Sequence, residues 1–182
     1  MVDITRLHAM SQLKKEYKEL CRNPNMNLSM TVGLPNEDDI FNWRVTLLGP
    51  KDTPYKYGVF IVSMNFPDDY PSGRPEVRFV TPIYHSNVYP ERNNSDPPGN
   101  VCLSILSAWN PNCKVEDILV SLYSLFYMTN PESPFAGQRE NEYKNNRTLY
   151  EEKIKYFTNK YASLTNHDNV RYNNDWDFSY NP

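Results

Sequence analysis

Cys102 is the residue whose setting in this sequence most suggests chemistry. It follows a Pro/Gly-rich stretch and begins a short apolar run, CLSIL at 102–106, that can fix it against a core. A thiol so placed is either a small core hydrophobe or a reactive group at the edge of one. Cys21 closes a helical stretch and Cys113 sits in an Asn/Pro loop, and both settings offer less. Upstream stand His85, which suits a turn-stabilising role, and Asn87, an ordinary turn residue. Cysteine, histidine and asparagine are also the residue types of a cysteine hydrolase, which needs its base within hydrogen-bond reach of the thiol. Metal chemistry is not suggested: the histidines stand apart at 8, 85 and 167, and no Cys-x-x-Cys occurs.

The surrounding elements read clearly. Leu7, Met10, Leu13, Tyr17 and Leu20 recur at spacings of three and four and predict a helix with one apolar face. Asp3 or Thr5 caps its start and Asn23-Pro24 stops it. Lys14, Lys15 and Lys18 fall off that face. A weak strand is expected over 28–33. Phe41, Trp43, Val45 and Leu47, then Phe60, Val62, Met64 and Phe66, alternate apolar with polar, the period of a half-buried strand. Val77 and Phe79 give a short fourth strand. Short, turn-rich links (GPKDTPYKYG, PDDYPSGRP) join antiparallel neighbours, so a four-stranded antiparallel meander is predicted.

Residues 81–101 show no apolar period and contain Pro82, Pro90, Pro97, Pro98 and Gly99. So long an irregular stretch inside a compact domain marks function or disorder. Helices return with Ile118, Leu122, Leu125 and Phe126, and then with Tyr150, Ile154, Phe157, Tyr161 and Leu164. Helix, strands, then helices is the segregated order of an α+β fold. Residues 165–182 are Asn/Asp-rich with interleaved aromatics and read as a tail beyond a domain spanning 1–164. An unstructured terminus is the expectation there, with folding back on the domain or docking in a partner groove as the alternatives.

With 182 residues, 39% hydrophobic and 23% charged, the chain can bury a full core without staples. A mean hydropathy of −0.72, with no run of the ~20 apolar residues a span needs, argues against a membrane protein. A net charge of −3 argues against nucleic acid as partner. Three cysteines, an odd number and too few for a disulfide framework, point to a reducing compartment, cytoplasmic or nuclear.

Much of the chain, from about residue 5 to 163, resembles the catalytic domain of ubiquitin-conjugating enzymes. The matching pieces run in order: the opening helix with its Asn-Pro stop, NWRVTLLGP at 42–50, TPYKYGVF at 53–60 and FPDDYP at 66–71. They continue with YHSN at 84–87, NVCLSIL at 100–106, Trp109 with Pro111, NPESPF at 130–135 and the closing helix. The resemblance implies acyl transfer through a thioester on Cys102, a strong nucleophile as thiolate and a good leaving group. It makes Asn87 a support for the oxyanion or the active-site loop, and His85 a structural member of the same motif. It puts Ser133 in a loop gating the cysteine, with Ser104 nearby. Lys14, Lys15 and Lys18 become contacts for an acidic activating enzyme, and Pro71, Trp109 and Pro111 a rim for docking ligases. The implied partners are ubiquitin or a ubiquitin-like modifier, an activating enzyme, a ligase and a protein substrate. No cofactor is implied, since the activating enzyme consumes the ATP.

Three features depart from the family pattern. Ser86 replaces the motif proline, which loosens the turn unless other contacts hold it. Asn87 and Cys102 are 15 positions apart, more than the family spacing, so the extra loop can form a lip beside the thiol. Ser72 stands where many members place a large apolar residue for ligases, followed by Gly73-Arg74-Pro75. The reading of a conjugating enzyme for ubiquitin therefore has two alternatives: a conjugating enzyme for another modifier of the SUMO type, and a catalytically weak binding partner on the same fold.

Overall fold

A computed structural model of the chain describes residues 3–23, 29–89, 98–129, 137–163 and 176–181. Helix α1 (Ile4–Arg22) begins where Asp3 Oδ1 accepts the Thr5 N–H at 3.0 Å, satisfying a donor that a first turn leaves open. It ends at Asn23, as the Asn-Pro stop predicts. Leu13 and Leu20 are buried, while Lys14, Lys15 and Lys18 are exposed. Leu7, expected on the apolar face, is 45% exposed; Ala9 and Glu16 complete the buried line instead. Glu16 accepts hydrogen bonds from Tyr70 Oη at 3.0 Å, Gln12 Nε2 at 2.8 Å and the Val115 N–H at 2.8 Å. One carboxylate thus ties α1 to the Tyr70 loop and to the start of helix α3 (Val115–Ser124), where the helix dipole favours negative charge.

Strands β1 (Met30–Gly33), β2 (Asn42–Leu48), β3 (Val59–Asn65) and β4 (Glu76–Phe79) pair antiparallel in chain order, which is the predicted meander. In register, Trp43 faces Met64, Val45 faces Val62 and Leu47 faces Phe60. All six are buried on one side of the sheet, while Asn42 and Arg44 between them are exposed, as strand alternation requires. Part of the weak strand expected over 28–33 lies outside the described residues.

Beyond β4 the irregular stretch is ordered by pairing with itself. The Phe79 N–H donates to the Gly99 carbonyl, the Gly99 N–H to the Tyr89 carbonyl and the Tyr89 N–H to the Asn100 carbonyl, each at 2.8 Å. Val88 and Val101 form an antiparallel bridge. The chain therefore leaves after Tyr89 and returns by residue 98 alongside its own departure, and 90–97 lie outside the described residues. Gly99 sits at φ 96°, and a side chain there would run into the Phe79 carbonyl, so only glycine fits.

Helices α2 (Ser104–Ser107), α3, α4 (Gln138–Asn145) and α5 (Arg147–Tyr161) complete the α+β fold. α3 buries Val115, Ile118, Leu119 and Leu122, and α5 buries Tyr150, Ile154 and Phe157. α4 has no counterpart in the sequence reading: its buried residues are Arg139 and Glu142. The expectation of an unstructured terminus fails for residues 176–181. Trp176, Phe178 and Tyr180 are half-buried against the core and alternate with exposed Asp177, Ser179 and Asn181.

Candidate active site

The two motif segments meet through the backbone. The Cys102 N–H donates to the Asn87 carbonyl at 2.9 Å, one step beyond the Val88–Val101 bridge. That bond, with the ladder before it, closes the long interval between them. Asn87 is fully buried. Cys102 is half-buried and opens onto a groove of about 320 Å³ lined by Ser104, Ile105, Ser121, Leu125 and Met128 among others. Ser104, exposed at the start of α2, forms part of the groove wall beside the sulfur. Ser133, the remaining predicted gate residue, lies outside the described residues.

His85 is 1% exposed, and both its ring nitrogens are engaged by backbone. Nδ1 accepts the Asn87 N–H at 3.0 Å and Nε2 lies 2.9 Å from the Leu125 carbonyl. An acceptor at Nδ1 and a donor at Nε2 define the neutral tautomer. Burial holds the imidazole far below its ordinary range, at about 4, and Arg139 adds to the effect. A neutral ring with both nitrogens committed cannot serve as a base for Cys102, so His85 does not supply the base of a cysteine hydrolase.

Ser86 shows how the turn survives without proline. Its N–H, which a proline would lack, donates to Tyr150 Oη at 3.1 Å. The Val88 N–H closes the turn onto the His85 carbonyl at 3.2 Å. Tyr55 Oη donates to the Tyr84 carbonyl at 2.9 Å, just before the turn. Tyr150 is buried at 1% exposure, so its hydroxyl needs this partner. The pair Ser86→Pro and Tyr150→Phe is expected to couple by about 1 kcal/mol in a double-mutant cycle of urea midpoints; strictly additive effects would show that the contact does not hold the turn.

Arg139 was not visible in the sequence as a site residue, because α4 carries no apolar pattern to draw attention to it. It is 8% exposed, and its Nη1 approaches the carbonyls of His85 and Val88 at 3.4 Å each. Burial lowers its pKa to about 10, which still leaves it charged at neutral pH.

The predicted partner residues fall into two places. Lys14, Lys15 and Lys18 lie exposed along α1. Pro71 and Trp109 are joined, since Trp109 Nε1 donates to the Pro71 carbonyl at 2.9 Å. Pro111 is exposed two residues further on. Among the described residues no three His, Cys, Asp or Glu side chains converge as a metal site requires.

A helix, a four-stranded antiparallel meander and closing helices thus frame a half-buried cysteine joined by backbone to a buried Asn turn. The family model described as ubiquitin-conjugating enzyme matches residues 12–158. The chain belongs to that family, a class of transferases that work with ubiquitin-like modifiers, activating enzymes and ligases.

Proposed function

We propose that this chain accepts the C-terminal carboxyl of ubiquitin as a thioester on Cys102 and transfers it to a lysine amine or to a ligase cysteine. The observation that carries this reading is the half-exposed sulfur facing a groove, held by backbone to the buried Asn87 turn. In the first step the Cys102 thiolate attacks the carbonyl of the modifier's thioester on the activating enzyme. A tetrahedral adduct forms and expels that enzyme's thiolate. In the second, a neutral lysine amine attacks the new thioester, the Cys102 thiolate leaves and the amine's extra proton passes to solvent. Donors aimed at the transient oxyanion supply the stabilisation such sites rely on. The burial of Asn87 favours a role in holding the loop over one as a free donor. Ser104 lines the entry of the acceptor.

Lys14, Lys15 and Lys18 serve as the docking charges for the activating enzyme, where rim cations mainly tune association rate. Pro71, Trp109 and Pro111 form the ligase rim, with an aromatic anchor of the kind interfaces favour. Ser72 is exposed and too small to fill an apolar ligase pocket, so the partner reads the Trp109 side. The proposed setting is the cytoplasm or nucleus, in keeping with three free cysteines. The turn at Ser86 has its own substitute for proline in the Tyr150 bond, which weakens the motive for reading the chain as a catalytically weak partner.

The test is loading with activating enzyme, ATP and a panel of modifiers. A thiol-sensitive adduct with ubiquitin is expected. It is lost in Cys102→Ala, becomes thiol-resistant in Cys102→Ser, and persists in Cys21→Ser and Cys113→Ser. An adduct with a SUMO-type modifier alone would replace ubiquitin in the reading, and none with any modifier would end the enzymatic one.

A further inference from the structure

Residues 176–181 lie along the face formed by α4, α5 and the residues around Tyr84. The Phe178 ring packs 4.9 Å from Phe157, 5.8 Å from Tyr84 and 6.1 Å from Tyr161, centroid to centroid. Tyr180 packs 5.3 Å from Tyr156. Between these anchors Asp177 bonds Lys160 at 3.0 Å and accepts from the Tyr161 hydroxyl through its carbonyl. The contacts alternate along the segment, with aromatic rings inward and polar groups outward.

The segment also reaches the motif described above. The Arg139 guanidinium lies 4.2 Å from the Phe178 ring centroid and 4.5 Å from that of Tyr84. The two rings are themselves in edge contact, and in a nearly dry site a cation against two adjacent ring faces is favoured by both π-systems. The same guanidinium faces the carbonyls of His85 and Val88, which bracket Ser86 and Asn87. Trp176 covers Gly99: a side chain added there would come within 3.0 Å of Trp176 Cζ2. Gly99 is the residue through which the returning strand bonds Phe79 and Tyr89, three positions before Cys102. One short stretch of chain therefore touches both strands that carry the motif.

We infer that residues 176–180 form an intramolecular clasp in which Phe178 completes the enclosure of Arg139 and Trp176 seats the returning strand, making Arg139, Phe178 and Trp176 positioning residues for the Asn87 turn and Cys102. The segment adds no reacting group. It acts by holding a cation against two carbonyls of the turn. Arg139 alone is a poor anchor, since a buried guanidinium whose contacts to those carbonyls are long leaves much of its charge uncompensated. Phe178 supplies the missing face. In its absence Arg139 has a route to water, and the turn loses its restraint while the core stays intact. The idea rests on the thioester reading for its kinetic test, and a second readout is independent of it.

The kinetic test measures loading of Cys102 and single-turnover discharge of the loaded chain to free lysine. Phe178→Ala is expected to slow discharge about tenfold, because small displacements of a positioned group carry rate penalties of that order or larger. Loading falls less, and Phe178→Trp restores discharge by returning a ring face. Phe178→Leu, which keeps apolar bulk without the π-face, behaves like Phe178→Ala and replaces it if the alanine variant does not fold. The independent readout is the pH profile of Cys102 alkylation by iodoacetamide in a Cys21→Ser/Cys113→Ser background, which needs no modifier. The profile is expected to shift in Phe178→Leu and to return in Phe178→Trp. If the parent chain never loads, the enzymatic reading has failed, and a shifted alkylation profile still upholds the clasp. Wild-type discharge together with an unshifted profile in folded Phe178→Leu overturns it.

Discussion

Between pH 6.5 and pH 4 the chain is expected to lose about 3 kcal/mol of stability through one residue, His85. The imidazole is buried and neutral in the fold, with its pKa lowered from 6.5 to about 4 by desolvation first and by Arg139 second. The unfolded chain binds the proton near 6.5 and the folded chain does not. Stability from this residue is therefore fully present above pH 6.5, declines as pH falls below it and stops declining below the folded value near 4. The gap between the two values converts to about 3 kcal/mol at 1.36 kcal/mol per pH unit. Urea midpoints of the parent and His85→Gln, taken from pH 7.5 to pH 4, isolate the effect. The substituted glutamine does not titrate, so the difference between the two curves narrows by about 3 kcal/mol on acidification. Parallel curves would mean that the ring is not held neutral. A local consequence follows as well, since protonation at Nδ1 removes the acceptor for the Asn87 N–H. Any loss of Cys102 chemistry through this contact should set in only near the folded value of about 4, below most of the range over which the urea midpoint falls.

The elements of the fold are legible in the sequence to different degrees, and the difference has a physical origin. The strands β2 and β3 announced themselves because one face of a sheet is buried and alternation is the direct record of that burial. α1 and α5 did so through their three-and-four spacing. Cys102, His85 and Asn87 were legible through motif and order, and the backbone bond between residues 87 and 102 brings two of them together. What did not show was everything buried in charged form. Arg139 and Glu142 sit on the inner face of a helix whose sequence, QRENEYKN, reads as solvent-exposed. Their burial is compensated by Tyr84, Lys153 and Phe178, which lie 11 to 58 positions away. No local pattern encodes a partner at that distance. The Ser86–Tyr150 bond, with a separation of 64, was hidden for the same reason. Trp176, Phe178 and Tyr180 alternate with polar residues, but in a stretch rich in Asn and Asp that pattern reads as a tail.

The hidden network sets up the largest stability effect we expect. Glu142 Oε1 accepts from Lys153 Nζ at 2.6 Å and from Gln138 Nε2 at 2.8 Å, and Oε2 accepts from Tyr84 Oη at 2.8 Å. Glu142 and Lys153 are both buried. Burial by itself would raise the Glu142 pKa, but the hydrogen bonds from Lys153, Tyr84 and Gln138 outweigh it and hold the carboxyl below its ordinary value. Glu142→Ala leaves a buried ammonium and a buried phenol without their acceptor, and is expected to cost about 3–5 kcal/mol. The cost belongs to the abandoned partners more than to the pair itself. Glu142→Leu with Lys153→Met should therefore recover most of it, because well-packed apolar replacements of a buried ion pair are often neutral. The remainder should sit on the Tyr84 hydroxyl, about 1–3 kcal/mol for a buried donor left unmade, and should vanish when Tyr84→Phe is added. Urea unfolding of the single, double and triple variants decides this: a single variant within about 1 kcal/mol of the parent, or a triple no better than the single, would contradict the order of effects. The triple variant keeps the ring face at position 84 that holds Arg139. Its core should regain stability without disturbing the turn, so Cys102 discharge should stay at the parent rate while the ion pair is gone. Such a result would assign Glu142 and Lys153 to the fold and leave the positioning of Asn87 to Arg139 and its two rings.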